Sequence, residues 1–84
     1  MATQLSQAVW DAWMAWRPGH DRYKFNGAGW NGTVSEVQAG DYLPGLRADV
    51  VSVSGTTTRT LTLNRGGVQF TVSYTGTTPI VFGR

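Results

Sequence analysis

The sequence has no cysteine and few charged side chains, and both shortages exclude whole classes of protein. Without cysteine, neither a disulfide nor a thiolate metal site can supplement the core of an 84-residue chain. One histidine and five carboxylates leave little for acid–base or metal chemistry. Charged residues make up 14% of the chain, against about 25% in typical domains. We therefore expect a single domain over residues 1–84 that is not an enzyme and carries no cofactor or metal.

The charge that is present is mildly basic and unusual in its make-up. The formal net charge is +2, and lysine and glutamate occur once each, as Lys24 and Glu36. These are the two residue types that most often keep protein surfaces in water. Their scarcity is a first indication that much of the surface is covered by something other than water.

The sequence shows no targeting or membrane segment. Residues 1–16 contain no Lys or Arg, and Asp11 interrupts their apolar pattern, so the segment does not resemble a signal peptide. No run approaches the roughly 18 apolar residues of a transmembrane helix. The sequence thus predicts a protein that is made in the cytoplasm of its host and contacts no membrane.

Apolar residues at three- and four-residue spacing predict a helix over residues 3–16, with Thr3 as its N-cap. Trp13 lies within the apolar stripe of this helix, and we expect it to pack on the rest of the domain. Trp10 and Met14 fall beside the stripe. Because tryptophan and methionine are enriched at binding surfaces, we expect these two side chains to contact a partner protein.

Residues 17–29 are predicted to be a loop, and residues 30–84 to be β structure. Short alternating segments there are separated by turns rich in glycine, proline and asparagine. This pattern is typical of a five-stranded antiparallel barrel or sandwich, and we favour an SH3-like barrel with one N-terminal α-helix. The predicted strands are 30–37, 47–54, 58–64, 67–75 and 79–82.

The hairpin over residues 58–75 is the clearest local pattern. We expect Arg65-Gly66 at its tip and Leu63 opposite Val68, with the apolar face of the hairpin toward the core. The other face carries hydroxyl and amide groups without charge, whereas exposed strands usually carry Lys or Glu that prevent association. The residues predicted for a subunit contact on this face are Thr58, Thr60, Thr62, Gln69, Thr71 and Ser73.

Two alternative hypotheses place function on other surfaces. In the loop 17–29, cations alternate with aromatic rings, a combination that binds single-stranded nucleic acid. A small adhesion or carbohydrate-binding module would instead use Trp10, Trp30 or Tyr42. The residues of the nucleic-acid hypothesis are Arg17, Arg22, Tyr23, Lys24 and Phe25.

The sequence favours a structural assembly protein over both alternatives. Small size, few catalytic groups and surfaces without charge suit many copies that pack together by symmetry. We expect a homo-oligomer that contacts itself or other virion proteins, as a capsid-decorating, head–tail adaptor or tail component of a bacteriophage particle. No motif identifies a family, so this expectation rests on analogy.

Overall fold

A computed structural model describes residues 2–14 and 28–84, which contain one α-helix and seven strands. The helix α1 is Gln7–Met14, and a single 3₁₀ turn covers Val34–Glu36. The strands are β1 (Thr3–Gln4), β2 (Gly29–Thr33), β3 (Tyr42–Leu43), β4 (Ala48–Ser54), β5 (Thr58–Arg65), β6 (Val68–Thr75) and β7 (Pro79–Gly83).

These strands form one open antiparallel sheet in the order β1-β2-β7-β3-β4-β5-β6. The predicted mainly β class is confirmed, but the prediction of a five-stranded barrel or sandwich, SH3-like by preference, is wrong, because the sheet has seven strands and does not close. β1 and β3 have two residues each, too few for an alternating pattern to show in the sequence. Among the residues 2–14 and 28–84, no helix has the length and apolarity that crossing a bilayer requires.

The 3₁₀ turn connects strands from the two ends of the sheet order. The turn follows β2 and reaches the far end of β6, where Ser35 N–H donates to the Gly76 carbonyl at 3.0 Å. The Arg59 guanidinium on β5 donates to the Ser35 carbonyl at 2.5 Å. The turn therefore connects β2, near one edge of the sheet, to the end of β6 at the other edge. In the described chain no ladder forms between β6 and either β1 or β2.

The main core lies on one face of the sheet. Alternate residues of β4, β5 and β7 point to this face, and the residues around the 3₁₀ turn cover it. A β-bulge at Val51 keeps this alternation in step, because it adds one unpaired residue between Val50 and Ser52. The buried members of this core are Val34, Val37, Leu43, Ala48, Val50, Leu61, Leu63 and Phe82.

The helix α1 packs on the opposite face of the sheet through Trp10, whose side chain is completely buried. Gly29 of β2 and Gly83 of β7 are paired in the ladder and lie directly beneath its indole. A Cβ added to Gly29 or Gly83 would lie 2.3 Å or 2.2 Å from a ring atom, so only glycine fits at either position. Tyr42, also buried, completes this second cluster with half-buried Leu5 and Val81.

The prediction of a helix from residue 3 with Trp10 on a free flank is wrong. Thr3 pairs with Asn31 in β2, so the helix begins only at Gln7. Ser6 precedes it, and its Oγ accepts a hydrogen bond from Val9 N–H at 3.3 Å. Trp10 turns toward the paired glycines, while Trp13, expected in the core, is 36% exposed. The predicted end of the helix lies outside the described residues.

Candidate functional site

The strands β5 and β6 form a hairpin whose turn is Gly66-Gly67. Both glycines have positive φ, 57° and 89°, as a type I′ turn requires and as side-chain-bearing residues avoid. Arg65 therefore pairs with Val68, and Leu63 pairs with Phe70. The predicted pairing of Leu63 with Val68 is wrong by two residues, because the turn lies one residue further along the chain than predicted.

The shift in register leaves every side chain of the hairpin on its predicted face, because the side-chain period of a strand is two. Thr60 lies opposite Ser73, with 3.0 Å between the two hydroxyl oxygens, and Thr62 lies opposite Thr71. We call this surface the uncharged face. It contains all six residues that the sequence predicted on the hairpin, and its members on β5 and β6 are Thr58, Thr60, Thr62, Asn64, Gln69, Thr71, Ser73 and Thr75.

The uncharged face continues onto β4, which sequence reasoning did not foresee. Ser52 lies opposite Thr62 and Ser54 opposite Thr60, and both serines are exposed. The alternation Val-Ser-Val-Ser over residues 51–54 is the signal that would have assigned them to this face. Asp49, opposite Asn64 near the start of β4, is a charged residue that borders the face.

The strand β6 is the outermost strand beyond β5, and its far side is a free edge among the described residues. A two-residue turn makes Arg65 and Val68 a hydrogen-bonded pair, so every second residue of β6 bonds to β5. The residues between them, Gln69, Thr71 and Ser73, therefore direct their N–H and C=O groups outward. Residues 66–83 contain no charged side chain, so the edge lacks the lysines that normally block pairing.

The other predicted site residues are either wholly or partly buried or lie outside the described part of the structure. Trp10 and Tyr42 are completely buried and Trp30 is half-buried, so these three do not form an exposed aromatic platform. Met14 is the last residue of α1, and its side chain lies outside the described part of the structure. The nucleic-acid candidates Arg17, Arg22, Tyr23, Lys24 and Phe25 all lie outside the described residues.

A groove of about 300 Å³ beside Trp13 is a feature that sequence reasoning missed. The groove lies where β3 and β7, which pair with each other only at Tyr42 and Gly83, are no longer paired. The pairing that opens this gap joins segments far apart in the chain, which no local pattern reports. The remaining lining residues are Asn31, Leu43, Gly45, Leu46, Pro79, Ile80 and Val81.

Two carboxylates of the described chain, Asp41 and Glu36, make structural contacts near the C-terminal residue Arg84. Asp41 is buried, accepts the Gln38 N–H at 2.8 Å and pairs with Arg84, with 3.0 Å between Oδ1 and Nε. Glu36 accepts the Thr33 N–H at 2.9 Å, and this hydrogen bond lowers the pKa of the Glu36 carboxyl. Within residues 2–14 and 28–84, no three His, Cys, Asp or Glu side chains converge on a possible metal site.

Comparison with known proteins adds no relative to these observations. The chain matches no protein-family model, no curated protein and no solved structure.

Proposed function

We propose that this protein is a non-enzymatic structural protein that assembles with copies of itself, as a component of a bacteriophage particle. The observation that carries the proposal is the uncharged face, which extends over three neighbouring strands. Exposed sheet surfaces normally carry charged side chains that oppose association. A surface of hydroxyl and amide groups instead suits contact with another protein.

The rest of the described chain is consistent with this role. Asp41 and Arg84 are used in a structural ion pair, and Glu36 holds the 3₁₀ turn. A small chain is economical when many copies are needed, because symmetry repeats one contact through a whole particle. Support for a particle protein in particular comes from this economy together with the scarcity of charge.

The mass of the protein in solution tests the proposal. We expect light scattering after size exclusion to give a defined multiple of the 9.1 kDa chain, with the multiple growing or persisting as concentration rises. A monomer at high micromolar concentration would exclude self-assembly. The particle role has a separate test: genes next to this one should encode other particle proteins, and a neighbourhood of metabolic genes would contradict it.

A further inference from the structure

We propose that two copies of this chain join edge to edge through β6, so that one antiparallel sheet runs through both. This inference rests on the proposed self-assembly and names its contact, which is the edge of the hairpin rather than its flat face. The partner is a second copy, because the free stretch of β6 is complementary to itself.

The free stretch determines the register of this pairing. Gln69, Thr71 and Ser73 direct their backbone groups outward, whereas the carbonyl of Thr75 already accepts the Thr78 N–H at 3.0 Å. Gly76 beyond it is covered by Ser35 of the 3₁₀ turn. A two-fold axis at the midpoint therefore places Thr71 opposite Thr71 of the second copy and Gln69 opposite Ser73. Each of these pairs exchanges both of its backbone hydrogen bonds.

The same register brings apolar side chains together on the core face of the sheet. Phe70 lies opposite Val72 of the second copy, and Val68 lies opposite Tyr74. Val68 is 66% exposed in the single chain, and the other three are half-buried. The pairing thus covers apolar surface of β6 that remains exposed to water after β6 has paired with β5. Cross-strand pairs of this kind stabilise sheets. No like charges meet across the axis, because residues 66–83 carry none.

The other end of the sheet does not offer an equal edge. β1 consists of Thr3 and Gln4 alone, which is too short for an extended ladder. Pairing of β6 with β1 of a second copy would also be head-to-tail, so it would continue from copy to copy unless the rotation closed a ring. Pairing of β6 with itself closes after two copies, and it leaves the flat uncharged face open for further contacts.

Two matched lysine variants separate edge pairing from contact through the flat face. Thr71→Lys puts two lysines opposite each other at the proposed axis, and we expect the dimer dissociation constant to rise at least about tenfold. Thr62→Lys adds the same charge to the same face on β5, opposite Thr71 in the hairpin. For this control we expect the dimer dissociation constant to change by less than about threefold, as for surface substitutions in general. Ser52→Lys, at an exposed position of β4, serves as a second control if Thr62→Lys fails to fold.

Cross-linking tests the register, because the chain has no cysteine of its own. We expect a short bismaleimide to join Thr71→Cys chains to each other, since paired Cα atoms lie about 5.5 Å apart. Thr62→Cys chains should not be joined, since three strand spacings, about 14 Å, separate them. Gln69→Cys and Ser73→Cys should cross-link when mixed and not when each is alone.

The outcomes distinguish this inference from the proposed function. An oligomer that both lysine variants disrupt equally, or that cross-links through Thr62→Cys, would overturn edge pairing while self-assembly stands. A wild-type protein that stays monomeric would overturn the proposed function and the inference with it. An oligomer lost in Thr71→Lys alone, with the predicted cross-links, would support both.

Discussion

At the scale of single residues, Trp10 shows how two glycines in a sheet can fix the position of a helix that packs on it. The indole lies on two glycines that face each other in neighbouring strands, so the ring contacts backbone where side chains would otherwise stand. Tyr42 packs against the same ring. Among the tryptophans that the structure describes, Trp10 is therefore the one that fixes α1 on the sheet.

The first prediction is that Trp10→Ala destabilises the protein by about 3–5 kcal/mol, because it removes a completely buried aromatic side chain. Trp13→Ala is the matched control from the same helix, and we expect a loss of about 1 kcal/mol, since that side chain is 36% exposed. Urea denaturation followed by circular dichroism measures both values. Equal losses in the two variants would contradict the packing described for α1.

The second prediction concerns the glycine beneath the ring. Gly83→Ala should cost about 1–3 kcal/mol, because its Cβ would lie 2.2 Å from the Trp10 ring and the helix must move away. Gly45→Ala is the control, since its Cβ would meet Trp13 only at 4.0 Å. In a Trp10→Ala background the Gly83→Ala loss should shrink, which a double-mutant cycle measures. Additive losses would show that the cost of Gly83→Ala has another origin.

At the scale of elements, the 3₁₀ turn depends on a titratable group. Glu36 holds the turn by accepting the Thr33 N–H, and the pKa of its carboxyl is lowered in the folded protein. A carboxyl whose folded pKa lies below its unfolded value stabilises the fold above the unfolded pKa. That contribution is lost as the pH falls through the folded pKa.

The third prediction follows from this sign. As the pH falls below about 4.5, the ordinary pKa of a glutamate carboxyl, wild-type protein should lose stability faster than Glu36→Gln. The variant keeps a hydrogen-bond acceptor at this position but cannot titrate there. Thermal unfolding from about pH 6 to about pH 3 compares the two proteins. Parallel decline of both melting temperatures would mean that Glu36 does not control the turn.

Elements also differ in how far the sequence could predict them. The faces of β5 and β6 follow from alternation, which is local, so the uncharged face was predictable residue by residue. The register was not, because Asn64, Arg65, Gly66 and Gly67 offer several possible turns. The start of α1 and the burial of Trp10 depend on Gly29 and Gly83, which meet from distant parts of the chain. No local pattern contains that contact.

At the scale of the whole molecule, the sheet has two very different ends. One end is the two-residue β1, and the other is the eight-residue β6 with its row of outward backbone groups. Closure into a barrel would have removed both edges. The open sheet instead leaves one long edge in the described chain, and self-assembly through that edge would complete the pairing that the single chain lacks.

The hairpin and the ladder of β2 with β7 differ greatly in how far apart their paired residues lie in the sequence. Strands β5 and β6 close a loop of two residues, whereas Gly29 and Gly83 meet only across more than half of the chain. Because long loops close slowly, we expect the hairpin to form first and the ladder of β2 with β7 last. A refolding chain thus exposes the β6 edge while its core is still incomplete.

The fourth prediction is that refolding yield falls as protein concentration rises, because early hairpins from different chains pair before they can fold further. Thr71→Lys should recover the yield at high concentration without raising the stability of the native state. Light scattering during dilution from urea measures the loss, and concentration-independent yield in the wild type would contradict it. The strand proposed to join folded copies is therefore also the strand whose pairing between unfolded chains would lead to aggregation.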